Sequence, residues 1–326
     1  MSQALNLFYD PRLIEEAVFH AQRDSYYVLA ELQERRNRIY EIADVDERDR
    51  LFNELNRAWF DRLGLGKVIE QSLREQPLIG AHVERCVVVG ATQTKEEGAE
   101  LFVASDDVKN GHGRRTLRLL IRPEALLNPD ELRTFLRHEL FHISDMLDPA
   151  FAYEPTLPKT EGGPTYDTLI TSRYRVLWDV TINGRMVRRG WLPDWTRDQQ
   201  LREFRQAFPM LEEKAEEHFR RFFDTDQPKH PELAAFALDP RAAAGGPAGK
   251  PALGTHCPLC RFPTHMFEPT PETLGAEVLA AIKRDFPNWK TELGLCGQCA
   301  DLYRASQLSM AAAKALPGWH AWRSNV

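Results

Sequence analysis

Residues Phe135-Leu136-Arg137-His138-Glu139-Leu140-Phe141-His142 decide how this chain is read, because they spell the pattern HExxH. In an α-helix, side chains four residues apart project from one face a turn apart, so the imidazoles of His138 and His142 can converge on one cation. Glu139 is offset to the side, where it reaches a water beside the cation instead of the cation. Two neutral nitrogen ligands and one carboxylate base are what hydrolysis by an activated water requires. The flanking residues support the helix: Asn128-Pro129-Asp130-Glu131 supplies a capping side chain, a proline at the first helical position and acids in the first turn. Leu132, Phe135, Leu136, Leu140 and Ile143 then recur at helical spacing and bury the face beside the histidines. A surface helix carrying two histidines by chance is the bland alternative, and so apolar a helix disfavours it.

Upstream, Cys86-Val87-Val88-Val89-Gly90-Ala91, Glu100-Leu101-Phe102-Val103-Ala104 and Thr116-Leu117-Arg118-Leu119-Leu120-Ile121 read as three short strands between polar, glycine-bearing turns. Strands followed by a helix bearing HExxH resemble the core of the zincin metallopeptidases, over roughly residues 83 to 190. The resemblance implies an α+β catalytic core, a catalytic Zn²⁺, a peptide or protein substrate, and an edge strand that lines the cleft and pairs with extended peptide backbone.

A catalytic zinc needs a third protein ligand and an open position. Asp179 is preferred: it lies in Arg173-Tyr174-Arg175-Val176-Leu177-Trp178-Asp179-Val180-Thr181-Ile182-Asn183-Gly184-Arg185, which reads as a second helix. An acid on a second, downstream helix resembles the gluzincin arrangement, with Asp in place of Glu. Asp148 is an alternative that matches the spacing HExxHxxGxxD, except that Asp145 stands at the glycine position. Glycine there lets the chain leave the helix in a left-handed conformation, which aspartate tolerates less well. Asp145 is the third option, too nearly in line with both histidines to close a tetrahedron easily and better suited to a supporting or helix-end role. For Asp179 the competing reading is a buried salt bridge to Arg173, Arg175 or Arg185.

With zinc in place, the cation lowers the pKa of a water towards about 7 and Glu139 takes its proton, returning it to the departing amine. Tyr153, Tyr166, Tyr174, His112 and Arg173 are candidates to steady the developing oxyanion. Between residues 149 and 172, four prolines and Gly162-Gly163 suggest a long loop over the site, either a lid or an irregular connector.

The second constellation is Cys257-Pro258-Leu259-Cys260 and Cys296-Gly297-Gln298-Cys299, two C-x-x-C knuckles separated by 35 residues. That spacing can deliver four thiolates to one tetrahedral, structural Zn²⁺, pinning together a module too small to fold on its own core. It resembles a zinc-ribbon or treble-clef module. The whole chain carries a formal charge of −6, and basic and acidic residues are mixed through 255 to 304. Such a surface disfavours nucleic acid and favours a protein partner or simple stabilisation. Cys86 stands alone in an apolar strand and reads as a buried small hydrophobe.

With 326 residues and 43% hydrophobic content the chain can bury a substantial core. No run has the 18 apolar residues of a membrane span, and the polar amino terminus does not read as a signal peptide, so a cytoplasmic protein is expected. Residues 1 to 77 read as a charged helical region. Residues 78 to 223 form the zincin-like core, with one helix over Asp198 to Phe223. Residues 224 to 254, rich in proline, alanine and glycine, read as a linker. Residues 255 to 326 hold the four-cysteine zinc module, with a terminal helix from Cys299 to Leu316 and a tail bearing Trp319 and Trp322. The reading that follows is a zinc metallopeptidase with Glu139 as general base. The alternative is a non-catalytic adaptor that keeps the same scaffold and works through its zinc module.

Overall fold

The computed structural model describes residues 5–22, 26–103, 115–157, 163–240 and 256–305, apart from 263, 265, 266 and 269. Over these residues the chain is mixed α and β, mostly helical, with a four-stranded sheet and a carboxy-terminal cysteine cluster. It forms two compact units interleaved along the sequence. The first comprises Met1–Tyr153, Thr181–Arg197 and Phe223–Lys229, and the second Glu154–Val180, Asp198–Phe222 and His230–Val326.

In the first unit, β1 (Asn6–Tyr9) precedes the helices α1 (Pro11–Gln22), α2 (Tyr26–Tyr40), α3 (Val45–Leu63), α4 (Lys67–Arg74) and α5 (Pro77–His82). The sheet continues with β2 (Arg85–Gly90), β3 (Gly98–Val103) and β4 (Arg115–Ile121), followed by α6 (Pro129–Leu147). Strand order is β1-β2-β4-β3, with β1, β2 and β4 parallel and β3 antiparallel at the edge. Alternation decides which face is covered: Cys86, Val88, Leu117, Leu119 and Ile121 are buried, whereas Val87, Arg118 and Leu120 between them are only partly so. The buried face packs on Leu13, Val18, Trp59, Phe60, Ile69 and the apolar stripe of α6. That stripe is Leu132, Leu136, Leu140, Ile143 and Leu147, and each such burial contributes about 1.5–3 kcal/mol. Burial also pushes the Cys86 thiol up to about 12, as suits a packing residue.

The three strands expected from sequence are present, but the amino-terminal region is not helical throughout. Residues 6–9 form β1, whose register pairs Asn6 with Arg85 and Tyr9 with Val88. Four residues are too few to show a period, and the partner strand is distant in sequence. Helix α3 is bounded where its residues dictate: the Asp44 side chain accepts from the Glu47 N–H, and Gly64 closes the helix at φ 69°.

The long α7 (Gly163–Arg188) runs through both units, the boundary falling between Val180 and Thr181. It begins ten residues earlier than the loop expected over 149–172 would allow, so only 149–157 are irregular among the described residues. In the second unit, Asp198–Phe223 is not one helix. It is α8 (Thr196–Ala207), a 3-10 stretch Pro209–Lys214 and α9 (Ala215–Phe223), broken because Pro209 lacks an N–H and Glu212 is non-helical at φ 49°. The supposed linker contains α10 (His230–Leu238), with Pro231 in its first turn and Leu233, Phe236 and Ala237 buried. Phe236 lies in ring contact with Phe204, Phe208 and Phe222. Residues 241–255 and the tail beyond 305, including Trp319 and Trp322, lie outside the described residues.

Candidate metal centres

Helix α6 presents His138 and His142 one turn apart, their ring centroids 5.0 Å from each other and both residues half-buried. Asp179 of α7 joins them: one ligand atom from each of the three lies within 4.8 Å of the others. A tetrahedral ion bound by nitrogen and oxygen at about 2.0–2.1 Å has edges of about 3.4 Å, which fits within that limit. All three residues are partly exposed.

Asp148 and Asp145 are occupied otherwise. Asp148 caps the carboxy terminus of α6 and accepts from the Ala150 N–H at 2.8 Å. Asp145 is buried and accepts a two-pronged hydrogen bond from Arg185, Nη1 to Oδ1 at 2.7 Å and Nη2 to Oδ2 at 2.6 Å. Arg185 is thereby committed to Asp145, Arg175 is exposed, and Arg173 donates from Nε to the Ala207 carbonyl at 3.4 Å.

Glu139 is held at β3, the edge strand of the sheet among the described residues. Its Oε2 accepts from the Ala99 backbone N–H of β3 at 3.3 Å, and its Oε1 lies 3.2 Å from His138 Nδ1. When Nδ1 donates, Nε2 carries the lone pair that a cation requires. Gly98 leaves space here, since a Cβ on it would sit 3.6 Å from Glu139 Oε2.

Among the oxyanion candidates, Tyr174 is buried and bonded to His230, its hydroxyl 2.6 Å from Nδ1. Arg173 is buried as well. Tyr153 is half-buried, and burial raises its pKa. His112 and the side chain of Tyr166 lie outside the described residues.

Sequence reasoning missed the supporting contacts on the neighbouring row of α6, formed by Arg137, Phe141 and Asp145. Arg137 makes a paired salt bridge to Glu75, both contacts at 2.7 Å, and its guanidinium lies 4.2 Å from the Trp191 ring. Arg185 and Arg189 each lie 4.7 Å from the Phe141 ring. The four-residue spacing of 137, 141 and 145 was visible; their partners on distant segments were not.

The cysteine module builds its site from two tight turns. Arg261 adopts φ 61° and donates its N–H to the Cys257 carbonyl at 2.8 Å, closing the first knuckle. Phe267 bridges to Cys296 at the second. The four sulfurs gather with Cys257–Cys299 at 3.9 Å and Cys260–Cys296 at 3.8 Å. A disulfide would need about 2.05 Å, whereas a tetrahedron with metal–sulfur bonds of about 2.3 Å has edges of about 3.8 Å. The fit is to a metal.

Burial works against ionising Cys257, but N–H donors from Cys260, Cys296 and Leu259 outweigh it and lower its pKa. Cys296 and Cys299 are raised, chiefly by burial, and so need a cation to be held as thiolates. Beneath lie Leu259, Val278 and Ile282 of α11 (Ala276–Asp285), Leu295, and Trp289, whose indole N–H donates to the Gly294 carbonyl at 2.7 Å.

No helix among the described residues is long and apolar enough to cross a membrane. Comparisons with protein-family models, with curated proteins and with solved structures found no match to this chain.

Proposed function

We propose that the chain is a zinc-dependent hydrolase of peptide bonds, with His138, His142 and Asp179 as ligands of the catalytic ion and Cys257, Cys260, Cys296 and Cys299 holding a second, structural zinc. One observation carries the reading: two imidazoles and a carboxylate form a partly exposed group in which Glu139 stands beside an edge strand. A cation at such a site supplies Lewis acidity, polarising a carbonyl and bringing the pKa of water towards about 7.

The chain's own residues do the rest. Glu139 takes the proton of the attacking water and returns it to the leaving amine. The N–H and C=O groups on the outer side of β3 can pair with an extended substrate backbone and lay its carbonyl near the imidazoles. The resemblance to zincins rests on the HExxH helix, the acid on a following helix and the antiparallel edge strand.

An adaptor role has one observation in its favour: Phe262, beside the first knuckle, is 73% exposed, an apolar contact available to a protein partner. Metal analysis and a peptide-library digest separate the readings. The hydrolase holds two zincs per chain and cuts peptides; the adaptor holds one and cuts none.

A further inference from the structure

The two helices that carry the proposed ligands are tied together by a buried ion pair. Asp145 follows His142 by three residues on α6, and Arg185 follows Asp179 by six on α7, rises of about 4.5 Å and 9 Å along the helices. Their side chains are only 7% and 9% exposed and meet at 2.6 and 2.7 Å. Arg185 is also gripped by its own helix, Nε donating to the Thr181 carbonyl at 3.2 Å, and by the Phe141 ring.

We propose that Asp145 and Arg185 are a positioning pair that sets the rotation of α7 and so holds Asp179 in reach of His138 and His142; this rests on the metal reading above. A two-pronged guanidinium–carboxylate contact is planar and admits one mutual orientation. Each residue of an α-helix advances about 100°, so a slip of one position on α7 would carry Asp179 away from the imidazoles. Stability alone does not account for the pair, because a buried ion pair is often no better than a well-packed apolar substitute. Position accounts for it: the fork sits less than two turns from the ligand on α7 and one turn from the ligand on α6.

Full-length protein stripped of metal is titrated with Co²⁺, following the ligand-field bands of the histidine site separately from the thiolate charge-transfer bands of the cysteine site. Wild type is expected to take up two ions. Arg185→Lys keeps the charge but loses the fork, and Asp145→Asn keeps the shape but loses the charge. Both should retain the thiolate signal and the wild-type circular dichroism while binding the second Co²⁺ at least about 10-fold more weakly, with altered ligand-field bands. Leu13→Ala, in the core on α1, should lower Tm and leave that affinity unchanged. If Arg185→Lys does not fold, Asp145→Asn carries the comparison. Variants that bind the second ion with wild-type affinity and spectrum overturn the positioning role and leave the metal reading standing. A wild type that binds only at the cysteines overturns both.

Discussion

The Ala99 backbone N–H donates to Glu139 Oε2 at 3.3 Å, tying the edge strand of the sheet to the acid of the HExxH turn. Strand β3 is bonded to β4 on its inner side, and its antiparallel direction sets it apart from the three parallel strands. The contact therefore places the proposed base beside the outer side of an edge strand and next to the proposed ligands. Neither partner is among the proposed ligands, yet the contact aims the carboxylate.

Replacing Glu139 by Gln keeps an oxygen for the Ala99 N–H and nearly the same volume, so fold and metal content should be unchanged. The amide cannot accept the proton of water, and turnover should fall by at least about 100-fold. Metal analysis together with kcat on a cleaved peptide checks this; equal turnover in the variant removes Glu139 from the mechanism.

Legibility tracked the range of the interactions. Four-residue spacing puts His138 and His142 on one helical face whatever surrounds them, and Cys257, Cys260, Cys296 and Cys299 declare themselves by spacing. Strands β2, β3 and β4 were readable from apolar runs between turns. Strand β1 was not, because four residues carry no period and its stability comes from a partner beyond five helices. Helix α10 was hidden by the Pro, Ala and Gly composition of its surroundings, although Leu233 and Phe236 are three apart. The Asp145–Arg185 fork was beyond reach for a different reason: the sequence offered Arg185 only as one of three possible salt-bridge partners of Asp179, and packing gives it to Asp145 instead.

His218 and His230 are both buried, and burial lowers the pKa of each below the ordinary 6.5; for His230 the charge of Glu154 opposes part of the shift. A histidine depressed in the folded state binds its proton more readily when unfolded. The stability it contributes is complete above pH 6.5 and is lost as pH falls through the folded value. Tm should therefore decline on acidification below about pH 6.5. His218→Phe combined with His230→Gln should flatten that decline, as followed by calorimetry. An unchanged slope in the double variant would assign the acid sensitivity to other groups.

Chelation should separate the two metal centres. The four thiols of the cysteine cluster are mostly buried, and the module's core is small, so removing its ion lets the raised thiols take up protons and leaves the sulfur pairs, 3.8–3.9 Å apart, with little to hold them. Cys296→Ser should render residues 256–305 susceptible to trypsin while the first unit keeps its helical circular dichroism. His142→Ala should do the reverse, losing one zinc with no new cleavage in the module. Cleavage of the module in both variants would mean that the centres are not independent.

Gly184 lies in α7 one residue before Arg185, where a Cβ would drive directly into the Phe223 carbonyl oxygen and crowd its carbon at 2.8 Å. The obstacle is backbone, which cannot rotate away, and the same carbonyl is bonded to Arg188 Nη1 at 2.5 Å. Gly184→Ala gains helix propensity of about 1 kcal/mol. Overpacking against main chain costs about 1–3 kcal/mol, so a net loss is expected. Urea denaturation should show a lowered midpoint. Because Arg185 is the adjacent residue, the displacement should also weaken binding at the histidine site, which distinguishes this glycine from one whose only role is to let two segments approach.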